Sequence, residues 1–317
     1  MCILPLEVTA FMNTTSEVRS RTMLGQLVRL VHPSASSLSA FLLVALLAVA
    51  STLVAWKQWA PLVDQSSAYR LIPESIQLGP ERPSWVKQDI KAAAIDDGKL
   101  TELSLRDPQL VTKVRGAFLV QSWVATVKRV FKHAGGVEIT VVYRRPVALV
   151  EVVQGNQPGL LPIDADAVCL PPDDFSEDQV GNYIRVVADN SGPAGPIGTN
   201  WGDQRIQGGA RIADAVSRIP WKKIGLYRVE SRTAGSRQGE GPYRYHLVTR
   251  DMLQIRWGYP PGQEADGEAT ADQKVQNLLK YTEQHGPLSD LDARQQLLDL
   301  RDPAGAQLLP IRSAMLP

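Results

Sequence analysis

The chain has 317 residues, with 34 Lys plus Arg against 33 Asp plus Glu and a net charge of +1. That balance denies it the basic field of a dedicated nucleic-acid-binding protein, and no nucleic-acid partner is expected. Hydrophobic residues make up 44%, too many for a disordered chain, and the length suits one to three domains. Two cysteines, Cys2 and Cys169, are too few for a disulfide framework or a thiolate zinc site. His32, His133, His246 and His285 lie too far apart in sequence for a zinc-binding helix, so neither metal nor cofactor is expected.

Residues 38–56 read LSAFLLVALLAVASTLVAW without one charge. As a helix rising about 1.5 Å per residue, this stretch matches the hydrocarbon thickness of a bilayer. Ser51 and Thr52 are tolerable there because their hydroxyls can bond back to helix carbonyls. Trp56 and Trp59 flank Lys57 as an interfacial belt. Arg19, Arg21 and Arg29 precede the span and Lys57 alone follows closely, so the tail 1–37 is expected on the cytoplasmic side. The weighed alternatives are a cleaved signal peptide ending at Ala48-Val49-Ala50 and a buried core helix.

Beyond the span, residues 57–83 read as a linker with a short strand near 70–77. A helix opens at Ser84 with Val86, Ile90 and Ala94 on one face, and a second opens at Asp107-Pro108 with Leu110, Val114 and Phe118. The period then changes. Residues 124–131 alternate, with Ala125, Val127, Arg129 and Phe131 on one face, and Gly135-Gly136 allow a turn into strand 137–143. This helix–helix–hairpin unit is assigned residues 84–154. A more strand-rich mixed domain follows over 155–305, and 306–317 read as a tail. Its strands are expected at 160–163, 167–170, 183–187, 225–231, 243–249, 252–257 and 295–300. A helix carries Ile212, Val216 and Ile219, another carries Val275, Leu278, Leu279 and Thr282, and 191–209 is expected to be loop. The fold class is α+β.

No GxGxxG, GxxxxGK[ST] or GxSxG motif occurs, and Asp164, Asp166, Asp173 and Asp174 lack calcium-loop spacing. No catalytic residue is nominated, and a non-enzymatic role is expected.

Ser122-Trp123-Val124, Arg145-Pro146-Val147-Ala148, the segment LPIDADAVCL at 161–170 and Leu298-Asp299-Leu300-Arg301 add up to a recognisable order. The chain resembles the bacterial cell-division family FtsQ/DivIB, whose first folded unit is a POTRA domain. Departures are Ser122 for the family's proline, Ala167 for a glycine, and apparent insertions at 189–209 and 232–242. The resemblance implies an inner-membrane, septal scaffold with its folded domains in the periplasm. It implies that the strand at 295–300 is a sheet edge receiving an FtsB strand from an FtsL–FtsB pair. Leu298, Leu300 and Arg301 would make the contacts, with Asp299 and Asp302 beside them. It also implies that Thr126, Arg129 and Tyr143 face an upstream recruiter such as FtsK. The alternative reading is a POTRA-bearing translocation or envelope-assembly factor, which usually repeats the domain and ends in a barrel.

Overall fold

The structure is a computed structural model that describes residues 37–64, 69–154, 157–233 and 243–311. The tail before residue 37, most of the inserted 232–242 segment and the last six residues lie outside them.

Helix α1 (Ser37–Asp64) contains the apolar span, and its 40–57 window has a mean hydropathy of 2.1 with none of it buried. Phe41, Leu46 and Leu53 stand 79%, 71% and 60% exposed, which overturns the buried-core alternative. The helix is long and apolar enough to cross a membrane. Ser51 Oγ donates to the Ala48 carbonyl at 2.9 Å and Thr52 Oγ1 to Val49 at 2.8 Å, so both hydroxyls are satisfied within the helix. The helix runs on past the expected end at Trp56 into the segment assigned to the linker.

Residues 69–311 carry mixed helices and sheets. The first sheet has three strands in the order β1 (Ile76–Gly79), β3 (Gly136–Tyr143), β2 (Val124–His133). Strand β1 runs parallel to β3, and β2 antiparallel to it. Two helices, α2 (Ile90–Asp97) and α3 (Leu110–Leu119), come between β1 and β2. Val86, Ile90, Ala94, Leu110, Val114, Phe118, Val137, Ile139 and Val141 form the core as the periodicity requires. The first helix nevertheless starts at Ile90 rather than Ser84. Asp89 caps it, its carboxylate accepting from Ala92 N at 3.0 Å.

Strand β2 departs from its expected face. Bulges at 124–126 and 127–129 each insert a residue, so the buried set becomes Val124, Val127 and partly Val130. Arg129 and Phe131 turn outward instead.

The second sheet has eight strands in the order β11-β10-β9-β8-β7-β6-β4-β5. They are β4 (Pro146–Gln154), β5 (Gln157–Asp164), β6 (Ile184–Val187), β7 (Leu226–Thr233), β8 (Tyr243–Thr249), β9 (Gln254–Gly258), β10 (Gln296–Asp299) and β11 (Gln307–Pro310). Strand β4 was expected to close the first domain, but it pairs with β5 and β6, so the sheet changes at Arg144-Arg145. Residues 167–170 form only isolated bridges, not the expected strand. There Ala167 adopts φ 57°, the left-handed region that the resemblance assigns to glycine.

Helix α4 (Gln204–Val216) begins inside the stretch expected to be loop. Gly208 and Gly209 lower its intrinsic propensity, yet packing demands them. A Cβ on Gly209 would lie 2.6 Å from Val186 Cγ1, and one on Gly208 would run into the Tyr245 hydroxyl. The last helix, α5 (Ala271–His285), buries Lys274, Asn277, Leu278 and Tyr281, a face one residue round from the expected stripe.

The two sheets meet through paired polar groups. Trp123 Nε1 donates to Asp174 Oδ2 at 2.6 Å, and Arg144 bonds Asp164 at 2.6 Å with both side chains largely buried. Trp85 Nε1 donates to the Arg144 carbonyl at 3.0 Å.

Candidate functional site

Strand β10 is not the sheet edge. It pairs in parallel with β9 on one side and antiparallel with β11 on the other, so the chain's own backbone covers the border expected at 295–300. The edge lies one strand further out, in the segment assigned to the C-terminal tail.

The expected contact residues are placed accordingly. Leu298 and Leu300 are fully buried in the core beneath the sheet, and neither presents a side chain to a partner. Asp299 is buried as well and gathers two arginines. Arg301 reaches it through Nε at 3.0 Å and Nη2 at 2.8 Å, with its own backbone N–H at 3.0 Å, and Arg256 Nη1 does so at 3.1 Å. Burial alone would raise the carboxyl's pKa; the hydrogen bonds and charges of Arg301, then the charge of Arg256, hold it below the ordinary value. Asp302 shapes the turn into β11, accepting from Ala304 N at 2.8 Å and Gln307 Nε2 at 2.6 Å.

The register sets what β11 can offer. Ile311 N donates to the Gln295 carbonyl at 2.8 Å, which extends the pairing of Leu309 with Leu297 and Gln307 with Asp299. Alternation along the strand then turns the backbone groups of Leu308 and Pro310 away from β10. Proline has no N–H, so within β11 this border shows one amide, that of Leu308, and the carbonyls of Leu308 and Pro310. Leu308 is 37% exposed, and among the described residues no strand pairs with it from outside.

The sheet face opposite the helix-packed core is the second feature. Successive cross-strand positions place Glu230 beside His246, His246 beside Arg256 and Arg256 beside Asp299, while Arg185 stands beside Arg228. With Arg232, Arg244, Arg301 and Glu151 this gives six arginines against three carboxylates. Glu151 bonds Arg185 at 3.0 Å, and Glu230 bonds Arg228 at 2.6 Å. His246 sits between Glu230 and Arg256 with its pKa lowered to about 4, by burial first and then by Arg232 and Arg256. These residues were not nominated from the sequence. The signal was available in the alternation of YRVESR at 227–232, RYH at 244–246 and QIRW at 254–257, where every second residue is polar.

On the first sheet, β2 is an edge strand among the described residues, and Thr126 and Arg129 stand exposed along it. Arg129 lies over the Phe131 ring at 4.8 Å. Tyr143 is on the central strand β3 instead, half-buried, with its hydroxyl 3.5 Å from the Pro80 carbonyl. Burial raises its pKa, opposed by the charge of Arg82. The structure therefore brings Thr126 and Arg129 together and leaves Tyr143 apart from their border.

No protein-family model and no curated protein matches the chain.

Proposed function

We propose that this chain is a single-pass membrane scaffold of the bacterial division machinery, of the FtsQ/DivIB kind. On this reading α1 is the anchor, residues 1–36 face the cytoplasm, and the two sheets lie in the periplasm at the septum. The order of elements supports it: one apolar helix, a β-α-α-β-β unit, then a larger mixed sheet. Its partners are an FtsB/FtsL-like pair at the second sheet and an FtsK-like recruiter at β2.

The observation that carries the mechanism is the β11 border, whose outward backbone groups no strand pairs among the described residues. An extended segment adding to β11 gains main-chain hydrogen bonds from Leu308 and Pro310. Proline and the shortness of β11 keep the border from pairing indiscriminately. Binding of this type needs no reacting group.

The test is capture of an FtsB/FtsL-like pair by the full chain. Leu308→Pro removes the single outward amide and leaves the β10 pairing intact, so capture falls about tenfold, the equivalent of one or two hydrogen bonds. A fluorescent fusion concentrates at division sites. Even distribution around the envelope, with normal septation after depletion, would overturn the reading.

A further inference from the structure

One end of the first sheet gathers features that the partner surfaces do not use. The start of β1, the start of β3 and the end of β2 all lie there, since Ile76 pairs with Val137 and His133 with Gly136. The chain also enters there: Tyr69 O accepts from Leu105 N at 2.6 Å. Tyr69, Leu105, Arg106, Lys132, His133 and Ala134 line an open cleft of about 460 Å³. Arg106 lies over the Tyr69 ring at 3.9 Å, with its guanidinium edge free of any carboxylate ion pair among the described residues. Ile72 and Phe131 are exposed at the same end, 53% and 45%. Asp107 is tied to Lys113 at 2.8 Å and also feels the charge of Lys132, Glu74 lies in the turn before β1, and the exposed Glu138 stands across from Phe131.

Four residues, 65–68, join Asp64 at the end of α1 to Tyr69, a reach of five Cα steps of about 3.8 Å each. If α1 spans a bilayer, this is the end of the domain that the chain holds near the lipid surface. Exposed aromatic and aliphatic tips between cationic side chains are the composition that the headgroup layer accepts.

We infer that the cleft lined by Tyr69, Arg106 and Lys132 docks on an anionic phospholipid surface, with the lipid phosphate between the two cations and Phe131 and Ile72 against the glycerol layer. This rests on the membrane reading of α1. Docking sets the tilt of the β2 edge relative to the membrane, and with it the height at which Thr126 and Arg129 are presented.

The experiment uses the full chain reconstituted into vesicles, with Cys2→Ser and Ala134→Cys carrying an environment-sensitive dye; Cys169 is buried, and burial raises its pKa. Resistance to alkaline extraction reports α1 independently of the dye. In vesicles with about one-third phosphatidylglycerol the dye reports docking; in phosphatidylcholine alone the docked fraction falls about tenfold, as about 1 kcal/mol per surface cation implies for two cations with partial screening. High salt gives the same loss, and inorganic phosphate does not substitute for the anionic lipid. Arg106→Gln with Lys132→Gln abolishes the lipid dependence, while a dye at Met252→Cys, in the turn between β8 and β9, never responds. Equal dye signals in the two vesicle types, from protein that resists extraction, would overturn the inference without touching the membrane reading. Extraction of the protein would overturn both.

Discussion

Lys274 offers the sharpest test of how the terminal strands are held. Its side chain is wholly buried, 2.6 Å from Glu268 Oε1, whose side chain is 6% exposed. The ammonium also lies 3.3 Å from the Tyr259 carbonyl and 5.3 Å from the centre of the Trp257 ring. Glu268 in turn accepts from Tyr259 N at 2.9 Å and Ala265 N at 3.2 Å, and Ala269 N bonds the Arg301 carbonyl at 2.7 Å. The pair therefore fastens the 258–269 loop against the end of β10. Two unit charges near 3 Å attract by about 5 kcal/mol at an effective dielectric of about 20, which roughly offsets their desolvation. Removing one partner alone leaves the other buried and uncompensated.

Lys274→Met, which keeps the stem, is expected to cost about 3–5 kcal/mol at neutral pH. Lys274→Met with Glu268→Gln is expected to cost less than about 2 kcal/mol, because no charge remains to desolvate. Urea unfolding of the full chain in detergent, followed by tryptophan fluorescence, measures both. Additive single and double losses, or a single loss below about 1 kcal/mol, would refute the account of a coupled buried pair.

His246 is held at about 4 against an ordinary value near 6.5, so the unfolded chain binds more protons between these limits. Stability should be fully present above about pH 6.5 and fall toward pH 4 by up to about 3 kcal/mol; an unchanged pH profile in His246→Gln would contradict this. Asp299 has a lowered pKa, so its contribution is present above the unfolded value near 3.9 and is lost in more acidic solution, which Asp299→Asn should flatten in acid melts. Gly208→Ala should destabilise by about 1–3 kcal/mol in thermal melts despite the better helix propensity of alanine, because its methyl meets the Tyr245 hydroxyl. Asp174→Ala strands the Trp123 Nε1–H at the junction of the sheets and should cost about 1–3 kcal/mol, whereas Asp174→Asn keeps an acceptor and should cost less.

Arg301 shows why contact residues are harder to read than elements. Its position beside two leucines suggested an exposed strand with a free cation, yet the guanidinium is spent on Asp299, and burial raises the stakes of both. An Arg301→Glu exchange would place like charges together and test folding rather than partner capture. Leu308 is the cleaner probe because only its outward backbone changes.

Local physics was legible in the residues themselves. A chargeless 19-residue run has to be a lipid-length helix or be buried, and three- and four-residue spacing placed Ile90, Ala94, Leu110, Val114 and Phe118 on core faces. Tertiary contact decided the remainder. Bulges rotated β2 because its register to β3 absorbs two extra residues. Two glycines became helix because Tyr245 and Val186 press against them, and a lysine became core because Glu268 waits beside it. Above all, a four-residue strand past the apparent end of the domain covers β10, and no periodicity over so short a stretch distinguishes a pairing strand from a tail. Which backbone groups remain unpaired is a property of the assembled sheet, since hydrogen bonds between strands join residues whose separation along the chain carries no local signal.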